Sequence, residues 1–163
     1  MEIDVQARVE SARAYFMLGH SCSQSVVLAF QDVLGVDADT LARLSIGLGA
    51  GVGRMREVCG TVGAMAVVAG TIARPAGKDI RQQKSDTYAI VQKLAGEFRE
   101  RNGSIICREL LALRAGKVNG TGPGADTSPV AGERTEEYYR SRPCVAIVES
   151  SAKIIAEYIA KNY

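Results

Sequence analysis

Apolar residues recur every three or four positions along most of this chain, and no stretch of period-two alternation stands out. That spacing puts one greasy stripe on each helix and leaves no half-buried strand to build a sheet. Val5, Val9, Ala12 and Phe16 form a first stripe, and Cys22, Val26, Ala29, Phe30 and Val33 form a second. A short helix follows Asp37 and carries Leu41, Leu44 and Leu48, until Gly47, Gly49, Gly51 and Gly53 dissolve it. The run from about Cys59 to Ala73 is apolar enough to be a buried helix, and Arg74-Pro75-Ala76-Gly77 is its stop signal. Asp79 caps a long helix with Tyr88, Val91, Leu94, Ala95 and Phe98 inward, ending at Asn102-Gly103; Ser104 caps another through Leu113. Between Gly116 and Gly132 the residues are mostly glycine, proline, small and polar, so the expectation there is a flexible loop. Thr135 to Tyr139 make a turn or two of helix. The last helix starts at Pro143 and aligns Cys144, Ile147, Val148, Ser151, Ile154, Ile155, Tyr158 and Ile159. The expected fold is all-α, a single-domain helical bundle of about six to eight helices over residues 1–163.

A chain of 163 residues, 47% of them hydrophobic, has material for one core. With 23% charged residues and a net charge of +2 it lacks the field that recruits nucleic acid or an anionic membrane. Met1-Glu2-Ile3-Asp4 has neither the basic start nor the apolar run of a secretory signal, which makes the cytoplasm the expected location. Val58 to Ala73 is shorter than the ~20 residues that cross a bilayer and is interrupted by Gly60, Gly63 and Gly70, so no membrane insertion is expected.

The four cysteines are the chemically distinctive residues. In a reducing compartment disulfides rarely serve as staples, which leaves redox chemistry, metal ligation or burial. Cys22, Cys59, Cys107 and Cys144 each fall in or beside the first turn of an expected helix, where free N–H groups favour a thiolate. Their helices are the second, fourth, sixth and eighth of the expected series. Consecutive helices on short links run antiparallel, so this parity would gather the four starts at one end of the bundle, with Cys22 and Cys59 the favoured pair. No C-x-x-C pair gives a local zinc motif. Against function stands the ordinary reading: cysteine is often simply buried, and each thiol lies near an apolar stripe.

The segments around these cysteines resemble a four-cysteine family named for a C…GCAxxG…C…C pattern and designated redox-active. The resemblance runs from Ser21-Cys22-Ser23-Gln24-Ser25-Val26 through Gly51-Val52-Gly53-Arg54-Met55, Val58-Cys59-Gly60-Thr61-Val62-Gly63 and Ser104-Ile105-Ile106-Cys107-Arg108-Glu109 to Pro143-Cys144-Val145. It implies that the four positions are the family's cysteines, with a redox or cofactor-related role. Val58 and Gly60 depart from the glycine and alanine of the pattern, while Gly63 matches it.

Neighbouring groups offer further roles. His20 is two residues from Cys22, close enough to activate that thiol or act as a ligand, although a lone histidine before a helix is more often an ordinary loop residue. Arg54 and Arg56 suit an anion or a raised potential beside Cys59, and Glu57 and Glu109 are either first-turn charges or neighbours of a thiol. The glycine ladder fails the phasing of a dinucleotide loop and reads as a turn that lets the next helix start close to its neighbours. Three readings follow. The first is a thiol–disulfide or electron-transfer protein with a redox partner, whether an oxidoreductase or its accessory. The second is a binding protein holding zinc or an iron–sulfur cluster through Cys22, Cys59, Cys107 and Cys144. The third is an interaction module whose cysteines are merely core.

Overall fold

The computed structural model describes residues 2–73, 77, 79–115 and 126–163. Among them are nine α-helices and no strand: α1 (Val5–Met17), α2 (Cys22–Ala29), α3 (Gln31–Leu34), α4 (Ala38–Ser45), α5 (Gly60–Ile72), α6 (Ile80–Asn102), α7 (Cys107–Ala115), α8 (Glu136–Ser141) and α9 (Cys144–Asn162). A short 3-10 turn, Ile46–Leu48, extends α4. The fold is all-α, as the spacing of the apolar residues requires.

Side-chain caps decide where most of these helices start. Asp4, Asp37, Asp79 and Thr135 accept the N–H groups of Ala7, Thr40, Gln82 and Tyr138, and Ser21 forms a reciprocal capping box with Gln24. Ser21→Ala should therefore cost about 1 kcal/mol of stability, read as a lower denaturant midpoint at unchanged slope. An unaltered midpoint would mean that the buried start of α2 is held by packing alone.

The second expected helix, Cys22 through Val33, is in fact two. Phe30 breaks it with φ −118° and ψ 24°, and Gly35 ends α3 at φ 67°. The joint is held by Arg8 of α1, which donates 2.7 Å to the carbonyl of Ala29, reaches Asp32 through Nη2 at 2.6 Å, and lies 5.3 Å above the Phe30 ring. This added break also removes the alternation on which the parity argument rested: the cysteine helices are α2, α5, α7 and α9.

Helices α1, α2, α5, α6 and α9 pack as a closed ring, with α9 also touching α2 and α5 across the middle. Its buried face of Ile147, Val148, Ala152, Ile154, Ile155, Ala156 and Ile159 meets Phe16, Val26, Val27, Met65, Val68, Leu94 and Phe98 in one hydrophobic core. Each Val, Leu, Ile, Met or Phe among them contributes about 1.5–3 kcal/mol by leaving water. No helix of the described residues is long and apolar enough to cross a membrane.

The loop expected at 116–132 lies outside the described residues over 116–125. Residues 126–132 are irregular, and Arg54 ties them to the body: its guanidinium donates to the carbonyls of Ser128 and Val130 and pairs with the carboxylate of Asp126 at 3.2 Å.

Candidate functional site

Three glycines of one connection govern how the cysteine segments meet. From Ala50 to Arg54 every residue has a positive φ: 55° at Ala50, 74° at Gly51, 63° at Val52, 56° at Gly53 and 63° at Arg54, with Arg56 at 60°. Such a conformation costs about 1–2 kcal/mol at each residue that carries a Cβ. Backbone bonds across the turn offset it, from Gly53 to Gly47 (2.9 Å), Arg56 to Ala50 (3.3 Å) and Glu57 to Gly51 (3.0 Å). The turn then packs where a side chain would not fit. A Cβ on Gly49 would lie 2.7 Å from the Cβ of Ser21, one on Gly51 2.7 Å from the Cβ of Cys107, and one on Gly60 2.6 Å from Sγ of Cys22. The glycine ladder is thus a packing hinge between the starts of α2, α5 and α7.

A single antiparallel bridge completes the arrangement. Val58 pairs with Ile106; Cys59 N–H donates 2.8 Å to Ile105, and Cys107 N–H donates 2.6 Å to Glu57. Two short extended segments, one before each helix, thereby set Cys59 and Cys107 side by side. Cys22, Cys107 and Cys144 open their helices, and Cys59 is the N-cap residue of α5.

All four cysteines line one cavity of about 520 Å³, and all four are free thiols. They are not chemically alike. The Cys59 thiol donates to Cys22, backbone N–H groups of Ala50 and Ser23 point at the same sulfur, and Arg134 adds positive charge; together they outweigh burial and lower the Cys22 pKa to about 6. Cys59 is held well above its ordinary value by that same bond, by burial and by the Cys22 charge. Burial raises Cys107, with Arg56 opposing, and pushes Cys144 up to about 12, reinforced by the charges of Cys22 and Cys107. Cys22 is thus the sulfur whose thiolate form the site favours, and the other three are held toward the thiol. The Cys59 sulfur also meets the Thr61 hydroxyl at 3.2 Å.

The other residues singled out from the sequence divide. Arg54 and Arg56 line the cavity. Arg56 is only 3% exposed, donating 3.0 Å to the carbonyl of Asp126 and approaching Sγ of Cys107 at 3.9 Å. His20 turns its ring onto Tyr15, 5.5 Å between centroids, and is not among the residues lining the cavity. Glu57 pairs with Arg108 at 3.0 Å, and Glu109 accepts the Ser104 hydroxyl, so both carboxylates have partners other than a thiol.

Sequence reasoning missed the far wall. Arg134, Tyr138 and Arg142 face the cysteines from α8 and its flanks. Arg134 donates to the carbonyls of Phe16 (3.1 Å) and His20 (2.9 Å) and stacks over Phe16 at 4.4 Å and Tyr138 at 4.9 Å, while Arg142 stacks over Tyr138 at 4.3 Å. Only Tyr138 lies within α8, with Arg134 before it and the extended Arg142 after it, so no helical spacing in the sequence marks the three as one face.

Residues 20–158 match the model of the family described as "Putative redox-active protein (C_GCAxxG_C_C)". The chain belongs to this family. It has no match among curated proteins and none among solved structures. Of the two departures from the family pattern, Gly60 has a structural reason, since a Cβ there would lie 2.6 Å from the Cys22 sulfur; the backbone bridge of Val58 to Ile106 would accept glycine as well, and nothing in the structure explains the valine. A redox role is supported at the level of the family. Among the described residues, no group of three or more cysteine, histidine or carboxylate side chains is arranged to hold a metal ion.

Proposed function

We propose that the protein is a thiol–disulfide redox protein in which Cys22 attacks and Cys59 resolves. The observation that carries this reading is a single cavity lined by four free cysteines, with the Cys22 sulfur packed against Gly60, the residue that follows Cys59. A Cys22 thiolate attacks one sulfur of a substrate disulfide, forming a mixed disulfide and releasing the other half as a thiolate, which is protonated by solvent. Cys22 is then uncharged. The bond and the charge that kept Cys59 protonated are gone, and its pKa falls toward the range where it can lose a proton. The Cys59 thiolate attacks Cys22, closes the Cys22–Cys59 disulfide and expels the second half of the substrate. Two protein thiols are oxidised and one disulfide is reduced to two thiols.

The order of events is testable by trapping. Incubated with a slight excess of a small disulfide, Cys59→Ser should accumulate a mixed disulfide on Cys22, visible as one added half-molecule by mass spectrometry, whereas the parent protein passes on to its internal disulfide. Cys22→Ser should accumulate neither. A stable adduct on Cys107 or Cys144 in both variants would reassign the attacking residue.

A further inference from the structure

The charge around the cavity is unbalanced in one direction. Among the described residues four arginines, Arg54, Arg56, Arg134 and Arg142, line it together with the cysteines, and no carboxylate does. Of the four, only Arg54 has a carboxylate partner among the described residues, Asp126. Arg56 is 3% exposed, yet its partners are a carbonyl and a sulfur. Arg134 is bonded to carbonyls, and Arg142 rests on an aromatic face. A buried cation without an anion is costly, and gathered cations repel, so a cavity of this kind is stabilised by a negatively charged occupant. The single Cys22 thiolate supplies less charge than the arginines present. Its volume of about 520 Å³ is that of a small-molecule site. Ile46, Leu110 and Ile147 add an apolar lining that suits a short aliphatic chain.

We infer that the cavity binds a small organic disulfide bearing carboxylate, with its sulfurs at Cys22 and its charge against Arg56 and Arg142. The inference rests on the thiol–disulfide reading and adds the class of substrate. The reaction balances as above: the bound disulfide takes up two electrons and becomes two carboxylate-bearing thiols, while Cys22 and Cys59 become a disulfide. A single turnover by pre-reduced protein needs no other reductant.

Three disulfides of similar length separate charge from reactivity: dithiodipropionate (anionic), hydroxyethyl disulfide (neutral) and cystamine (cationic). Each single-turnover rate is divided by the rate of the same disulfide with a free small thiol. The expected order is anion, neutral, cation, with the anion roughly tenfold or more ahead of the neutral compound at low salt. That advantage should shrink as salt is added to the unaltered protein, and it should fall in Arg142→Gln, a substitution of a partly exposed side chain. Alkylation of Cys22 by neutral iodoacetamide is measured alongside. Normalised rates that are equal, or fastest for the cation, while Cys22 alkylates as a thiolate, overturn the anion site and leave the redox reading standing. Failure of all three disulfides together with slow alkylation of Cys22 overturns the redox reading, and this inference with it.

Discussion

At about pH 5.5, iodoacetamide should react with one cysteine per chain, and Cys22→Ser should reduce the total alkylation rate at least about twentyfold. The figure follows from two opposing effects. With a pKa of about 6, roughly a quarter of Cys22 is thiolate at that pH, against about a thousandth of an ordinary thiol. The advantage in population is about 240-fold, but a less basic thiolate is a weaker nucleophile by about tenfold over that span. At about pH 7 the same arithmetic leaves only a few-fold, so acid conditions are where Cys22 stands apart. Cys107 and Cys144 add little because burial raises both, and Cys59 adds little because Cys22 and then burial raise it. Peptide mapping after brief labelling checks the assignment; equal labelling of two or more cysteines would contradict it.

Gly51→Ala should be the most damaging single methyl group in the molecule near the site. The position has φ 74°, and a Cβ would lie 2.7 Å from both the Cys107 Cβ and the backbone nitrogen of Glu57. A left-handed residue with a Cβ costs about 1–2 kcal/mol, and overpacking against backbone adds about 1–3 kcal/mol. The expected loss is about 2–5 kcal/mol, measured by denaturant unfolding. Gly53→Ala is the control, with φ 56° but nothing within 4 Å of the added carbon, so only the conformational part should appear. Equal losses at the two positions would remove the close approach of the hinge to Cys107 from the account.

Much of this fold can be read from the sequence because helix starts are written in side chains. Asp37, Asp79, Ser21 and Thr135 cap where an oxygen-bearing residue precedes an apolar stripe, and the last helix buries the face that its spacing defines. The break at Phe30 was not legible, since the cause is Arg8, more than twenty positions earlier, taking the Ala29 carbonyl. The site divides in the same way. Cysteines at helix starts were visible in the sequence, but what packs the starts of α2, α5 and α7 together was not: the bridge of Val58 to Ile106 and the close approaches at Gly49, Gly51 and Gly60.

Local propensity gave no warning of the strained turn, because Ala50, Val52, Arg54 and Arg56 are residues that avoid positive φ. Their strain is held by the bonds around them, and its place beside the cysteines accords with strain collecting at working sites. The arginine wall was also hidden. Arg134 and Arg142 flank a six-residue helix, α8, and only tertiary packing turns that helix toward a cavity that includes Cys22, more than a hundred positions earlier.

The proposed exchange chemistry depends most directly on the ionisation of Cys22. Its alkylation rate, followed against pH by mass spectrometry of the Cys22 peptide, should rise with the thiolate through a single midpoint at about 6 and then level off. Because the Cys59 thiol is the largest cause of that low value, Cys59→Ala should move the midpoint upward. A midpoint at about 8.5 in the unaltered protein, the range of a free thiol, or one that Cys59→Ala leaves in place, would contradict the claim that Cys22 is a thiolate held by Cys59.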